Sequence, residues 1–99
     1  MSLEQRIAAA LRSQDDGGSA ITSSDLEDLI AETDKAAAAS AAEADAMRAT
    51  ALDVEQEVDL AVVHSAMKRA SIAAQRLRAA MPRLWARFDQ ITSQEAAAK

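Results

Sequence analysis

The chain has 99 residues and a formal net charge of −5, and a chain of this size forms at most one small domain, residues 1–99. The absence of cysteine excludes disulfides and thiolate metal sites, and the surplus of acidic residues disfavours general binding to nucleic acid or to anionic membranes. Alanine makes up about a quarter of the chain, and glycine and proline are nearly absent after Gly18, so the composition predicts an all-α fold.

A short amphipathic helix is predicted over residues 2–13. Leu3, Ile7 and Leu11 fall on one face of it, and Ser2 can cap its first turn. So short a helix is marginal in water on its own, so we expect its apolar face to need a surface elsewhere in the protein.

The second helix follows a loop, residues 14–23, that contains both glycines of the chain. This helix is predicted over residues 24–52. Ser24 or Ser23 can cap it, and Glu27, three residues after Ser24, completes the pattern of a capping box. The acids of the first turn also favour a helix N-terminus here.

Two apolar stripes with alternating three- and four-residue spacing indicate helices that pack along a common seam. In the second helix the seam positions are mostly small: Leu26, Ile30, Thr33, Ala37, Ser40, Ala44, Met47, Ala51 and Val54. In the third helix they are all apolar: Leu60, Val63, Met67, Ala70, Ala74, Leu77, Met81, Leu84, Phe88 and Ile91. Small residues on one side allow the two helix axes to approach closely.

The two stripes are out of phase where they meet, which predicts a turn. Asp53 and Gln56 form a second capping-box pattern, so the third helix is predicted over residues 54–97. The predicted fold class is therefore all-α: an antiparallel, alanine-rich, coiled-coil-like helical hairpin with a short N-terminal helix. Since no glycine or proline marks the turn, one long helix with a break in its heptad phase is the alternative.

The distribution of charge supports the hairpin. From Asp25 to Asp53, eight acids stand against two bases, whereas residues 60–88 contain six bases and no acid. A turn at Asp53 places Leu26 level with Pro82 and brings the acidic second helix beside the arginines of the third. Exposed pairs of this kind determine register and orientation more than stability.

Pro82 follows the seam residue Met81 and lies on the side of the third helix that faces away from the seam. We expect the helix to bend near Pro82 and continue, at a cost of roughly 3 kcal/mol for the missing backbone hydrogen bond. Beyond the end of the second helix the third is uncovered, and we expect this apolar end to mediate self-association or docking on a partner. The uncovered end comprises Trp85, Phe88 and Ile91, and the predicted interaction residues are Met81, Leu84, Trp85, Phe88 and Ile91.

Side chains able to carry chemistry are few. His64, the only histidine, has no neighbour within a helical turn that completes a metal site or a catalytic pair, so we expect it to be exposed. We predict no catalytic, cofactor-binding or metal-binding residue and no enzyme. The basic face of the third helix can pair with the acidic second helix or bind phosphates, and we favour pairing because no aromatic residue interleaves it. That face consists of Arg69, Arg76, Arg83 and Arg87.

The segment ALD at residues 51–53, followed by AMKRASIAAQRLRAAMPRLWARF at residues 66–88, resembles small helical proteins of unknown function from phage and prophage regions of alphaproteobacteria. The resemblance covers residues 24–90. It rests on a helix that ends in Ala-Leu-Asp and on a later Arg-Leu-x-x-x-x-Pro-Arg-Leu. Such proteins commonly have proline after Ala-Leu-Asp, where this chain has Val54. The resemblance implies a phage-type helical hairpin and implies no activity.

Three functional classes follow from these patterns. We favour a structural or protein–protein interaction protein that forms homo-oligomers, binds a larger protein partner, or both, in the cytoplasm or in a virion. The first alternative is a nucleic-acid-associated or regulatory protein that uses the basic face of the third helix. The second is a small secreted helical-hairpin protein, although the chain lacks the Trp-x-Gly turn typical of one such group. No apolar run is long enough to span a membrane, so we expect no membrane partner.

Overall fold

A computed structural model of the protein describes residues 2–12 and 21–97. These residues form three helices, α1 (Leu3–Arg12), α2 (Ser23–Leu52) and α3 (Leu60–Ala97). α2 and α3 pack antiparallel along most of their length, and α1 lies against both. The predicted all-α hairpin with a short N-terminal helix is confirmed, and the alternative of one continuous helix is wrong.

The start of α1 agrees with the sequence pattern. The hydroxyl of Ser2 accepts a hydrogen bond from the backbone N–H of Gln5 at 3.2 Å, and the Gln5 side chain accepts one from the backbone N–H of Ser2 at 2.9 Å. The predicted cap is therefore part of a reciprocal capping box. Most of the predicted loop 14–23 lies outside the described residues.

The start of α2 uses a different cap from the one predicted. Thr22 is the N-cap residue: its hydroxyl accepts from the N–H of Asp25 at 3.1 Å, and the Asp25 carboxylate accepts from the N–H of Thr22 at 3.2 Å. Ser23 is already the first helical residue, so neither it nor Ser24 caps the helix with Glu27. Thr22 and Ser24 offer equivalent hydroxyls, and an acid stands three residues after each, so the sequence pattern alone does not separate them.

The third helix begins later than predicted, at Leu60 instead of residue 54. Its N-terminus is capped by Asp59, whose carboxylate accepts hydrogen bonds from the N–H groups of Ala61 at 3.0 Å and Val62 at 3.4 Å. A carboxylate at this position satisfies orphan donors and complements the positive end of the helix dipole.

The predicted capping box at Asp53 does not begin a helix. Asp53 is the C-cap residue of α2, with an extended backbone at φ −85° and ψ 104°. Its carboxylate accepts from the N–H of Glu55 at 3.0 Å, and its carbonyl accepts from the N–H of Gln56 at 3.1 Å. These bonds form a turn, and residues 53–59 connect the two helices.

The longer connection changes the register of the hairpin. Because α3 starts later, each of its residues that faces α2 lies further along the chain than a turn at Asp53 would give. The N-terminus of α2 is level with Glu95, whose carboxylate accepts hydrogen bonds from the Ser23 N–H at 3.0 Å and the Ser23 hydroxyl at 2.7 Å. The predicted pairing of Leu26 with Pro82 is therefore wrong, and α3 has a partner beyond Pro82.

The main core lies in the half of the hairpin that α1 covers. Leu26, Thr33 and Leu84 are fully buried there, and the Thr33 hydroxyl is satisfied by the carbonyl of Leu29 at 2.7 Å. Other members of this core are Ile7, Ala10, Leu29, Ile30, Ala37, Leu77 and Ile91. Toward the other end the buried residues are alanines, Ala44, Ala70 and Ala74, so that half of the hairpin buries less apolar surface.

Pro82 is exposed, and α3 continues through it from Leu60 to Ala97. The expectation that the helix continues past the proline is confirmed. The bend near Pro82 stays a prediction.

Candidate interaction surfaces

The predicted apolar end of α3 is only partly exposed. Leu84 and Ile91 are 0% and 3% exposed, so they belong to the core of the protomer and not to an open surface. Met81 and Phe88 are half-buried against that core, and Trp85 is 47% exposed. The expectation that Ile91 is uncovered is wrong, and Phe88 is only partly exposed, because the shifted register brings the start of α2 against this part of α3.

Trp85 nevertheless forms the centre of an aromatic surface. Its ring meets the ring of Phe88 edge-to-face, with centroids 5.5 Å apart and planes at 85°. Residues of α3 that line the groove against α1, Leu77 and Ala80 among them, do not include Trp85. We call the surface formed by Trp85, Met81 and Phe88 the Trp85 face, and it lies on a side of the hairpin that α1 leaves open.

Arg76 of α3 does not pair with α2 as predicted. The guanidinium of Arg76 donates from Nε and Nη2 to a carboxylate oxygen of Glu4 in α1, at 2.9 Å and 2.6 Å. Arg87 donates to the side-chain oxygen of Gln90 at 2.8 Å, within α3 itself. Arg83 lines the groove between α1 and α3, and Arg69 lines a second groove together with Glu43. One arginine of the basic face, Arg76, therefore holds α1, a role that the sequence pattern did not indicate.

An ion pair also ties α1 to α2. Arg6 donates from Nη1 to Oε1 of Glu32 at 2.7 Å. This hydrogen bond lowers the pKa of the Glu32 carboxyl and raises the pKa of the Arg6 guanidinium. Together with the pair of Arg76 and Glu4, it gives α1 one charged contact on each helix of the hairpin.

The groove between α1 and α3 is small and open. It has a volume of about 320 Å³ and is lined by apolar residues such as Ile7 and Leu11 and by charged ones such as Arg12 and Arg83. Glu4 and Arg76, which also line it, are already paired with each other. The groove is the space that remains where the short helix α1 packs against the longer helix α3.

The most exposed apolar surface lies at the turn of the hairpin. We call residues 52–60 the hairpin tip. Leu52 is 78% exposed, Val54 is 96% exposed and Leu60 is 60% exposed. These side chains surround a shallow groove of about 720 Å³ together with Ala51 and Val58. Val54 and Leu60, the predicted last and first seam residues, are therefore exposed: Val54 lies in the connection after α2, and Leu60 is the first residue of α3.

The hairpin tip is also strongly acidic. Between Leu52 and Leu60 the chain has four acids and no base. Asp53 and Asp59 accept backbone hydrogen bonds that shape the turn and cap α3. Glu55 and Glu57 are exposed, and their side chains make no hydrogen bond or ion pair with any described residue.

The hairpin tip is not predicted as a surface by the sequence pattern. That pattern predicts a turn close to Asp53, with Val54 and Leu60 as seam residues. The available signal was the alternation of acids with Val54 and Val58 and the absence of glycine and proline. Turns in soluble proteins are usually built from small and polar residues, so two valines and two leucines within residues 52–60 are unusual for a connection.

His64 is exposed, as predicted. Among residues 2–12 and 21–97, no three side chains of the His, Cys, Asp and Glu types come together as a metal site would require. In the same parts of the chain, no helix is both long enough and apolar enough to cross a membrane.

Comparison with known proteins does not identify relatives. No family model, no curated protein and no solved structure matches the chain.

Proposed function

We propose that the protein is a structural or protein–protein interaction protein: a self-associating helical hairpin that also docks on a larger protein partner. The observation that supports this most directly is the exposure of large apolar side chains, above all Leu52, Val54, Leu60 and Trp85; Val62 and Ile72 are exposed as well. Contiguous exposed apolar residues on a small protein are costly in water unless a partner covers them.

The shape of the protein suits such a role. The described residues extend over 64 × 18 × 16 Å, so the molecule is a short rod. The hairpin tip lies at one end of the rod, and the Trp85 face lies in the half that contains α1 and Glu95. A rod with two separate apolar surfaces can contact two neighbours at once, which is what a structural or assembly component requires.

We assign self-association to the Trp85 face. Tryptophan and methionine are enriched at interfaces, and an aromatic residue at the centre of a contact often carries much of its binding energy. Two copies related by a twofold axis can bring their Trp85 faces together, because such a contact is self-complementary. The partly buried Phe88 holds the Trp85 ring in place, so less conformational freedom is lost on association.

The resemblance to small phage and prophage proteins favours a place in a phage particle or in its assembly. This proposal fits an oligomeric rod, and it is consistent with a location in the cytoplasm or in a virion. Use of the arginines for nucleic acid receives less support, because Arg76 is already engaged by Glu4.

Self-association is tested by size exclusion coupled to light scattering at micromolar concentration. We expect the parent protein to be a dimer or a larger oligomer, and we expect Trp85→Ser to shift it toward the monomer. Ile72→Ser is the matched control, since Ile72 is 44% exposed and therefore as accessible as Trp85. A parent protein that stays monomeric, or an oligomer that Trp85→Ser leaves intact, contradicts the assignment. Salt-sensitive DNA binding by the parent protein would instead favour the nucleic-acid function.

A further inference from the structure

The hairpin tip combines two properties that point to one kind of partner. It presents three large aliphatic side chains, Leu52, Val54 and Leu60, and it surrounds them with carboxylates. Its groove of about 720 Å³ has room for several side chains. The carboxylates of Glu55 and Glu57 have no counter-charge among the described residues, so a basic partner finds them available.

Neither the tip nor the opposite end of a second copy supplies the complementary surface. Contact between two tips brings two sets of four acids together, and like charges at short distance oppose association. The opposite end of the rod presents Asp25 and Asp28 at the start of α2, so a tip-to-end contact is also repulsive.

Along the side of the rod, bases of α3 such as Lys68, Arg78 and Arg83 are exposed, so a tip seated on the side of a second copy is the competing arrangement. Dissociation of the oligomer by Leu52→Ser with Val54→Ser would show that arrangement and would overturn the proposal that follows.

We propose that the hairpin tip binds a basic amphipathic helix of another protein. Apolar side chains of that helix cover Leu52, Val54 and Leu60, and its lysines or arginines face Glu55 and Glu57. The apolar contacts supply affinity, while the charges orient the helix and exclude acidic competitors. This proposal rests on the interaction function proposed above and names the partner of one of its two surfaces.

The test uses a fluorescent amphipathic peptide of about 14 leucine and lysine residues, which spans about four helical turns. Fluorescence anisotropy measures its binding to the full chain at about 0.15 M salt, where the Debye length of about 8 Å suppresses distant charge attraction. We expect saturable binding of this peptide and no binding of the matched peptide of leucine and glutamate.

Two double variants locate the site. Leu52→Ser with Val54→Ser should weaken binding by about tenfold or more, because it removes the apolar contacts. Glu55→Gln with Glu57→Gln should weaken binding and flatten its dependence on salt. All four side chains are exposed, so we expect the variants to keep their helical content and their melting temperature.

Two controls separate the tip from general effects. Ile72→Ser removes an exposed aliphatic residue elsewhere on α3, and Glu43→Gln with Asp45→Asn removes two carboxylates of α2 away from the tip. Both should leave the affinity within about twofold of the parent. Failure of the leucine–lysine peptide to bind overturns the proposal. Equal losses in the control and tip variants overturn it as well, because they indicate general attraction between opposite charges.

The outcome is independent of the test of self-association. If the parent protein is monomeric but binds the peptide through the tip, the proposal for the tip holds and the assignment of self-association to the Trp85 face is wrong. An oligomeric parent protein that does not bind the peptide supports the assignment of the Trp85 face and overturns the proposal for the tip.

Discussion

At the scale of single residues, short polar side chains decide where the helices begin. Thr22 and Asp59 each accept backbone hydrogen bonds at a helix N-terminus, and Glu95 accepts one from the N–H and one from the hydroxyl of Ser23 at the start of α2. The sequence pattern indicated that helices begin near these residues, but it did not identify the residues that cap them. Two hydroxyls or two carboxylates a few positions apart have the same capping chemistry, and only the path of the chain selects between them.

The pair of Arg6 and Glu32 predicts a specific pH dependence. Glu32→Gln removes the charged acceptor, so we expect a melting temperature at neutral pH that is lower by a few degrees at most, since the pair is exposed. The pKa of Glu32 is lowered in the folded protein, so its contribution is complete above the ordinary glutamate pKa of about 4.3 and is lost as the pH falls through the lower folded value. Thermal melts of parent and variant should therefore converge in acid.

The matched control for this prediction is the double variant with Arg6→Gln and Glu32→Gln. It should melt close to the single Glu32→Gln variant, because the partner of the pair is already gone. A difference between parent and Glu32→Gln that persists unchanged to about pH 2 would show that the effect does not come from the ionised carboxylate.

At the scale of elements, the third helix illustrates how the interior of a helix can accommodate a proline. Pro82 is exposed and lies outside the seam, so its ring meets solvent. The cost is local: the carbonyl of Arg78 has no N–H partner four residues later. Burial of Leu77, Leu84 and Ile91 on both sides of Pro82 keeps the helix continuous in spite of that loss.

Replacing this proline should stabilise the protein. Pro82→Ala restores the missing backbone donor, and we expect the free energy of unfolding to rise by about 1 to 3 kcal/mol in urea titrations. Ala86→Pro, which places a proline at another exposed position one turn further along α3, should lower it by a similar amount. Loss of stability in Pro82→Ala would mean that packing on α3 depends on the local geometry that the proline imposes.

The elements also show how far the sequence could predict the fold. The apolar spacing identified the buried face of α3 from Val63 to Ile91, because burial of a helix face depends on periodicity alone. The start of α3 could not be read with the same certainty, since acids at Asp53 and at Asp59 both suit a helix N-terminus. That single ambiguity shifted the register, and with it the predicted partners of the arginines and the exposure of Leu84. The same shift places residues 53–59 in the connection between the helices, where their acidic and apolar side chains form the hairpin tip.

At the scale of the whole molecule, the fold distributes its apolar residues unevenly. The half near Glu95 combines three helices around large aliphatic side chains, and the half near the tip has an alanine seam without α1. α1 is too short to cover the full length of the rod, which extends 64 Å. The tip is consequently held away from the main core, where a partner can reach it.

The chain doubles back at residues 53–59 and presents that turn as a surface. The most direct measurement is a pulsed electron spin resonance distance between labels at Ala38→Cys and Gln75→Cys, two exposed positions in a chain that has no cysteine of its own. The labelled protein is diluted into unlabelled protein so that only distances within one chain are recorded. The hairpin predicts a separation within about two helix diameters, ~20 Å. A distance near the ~55 Å that a continuous helix would give between these positions contradicts it.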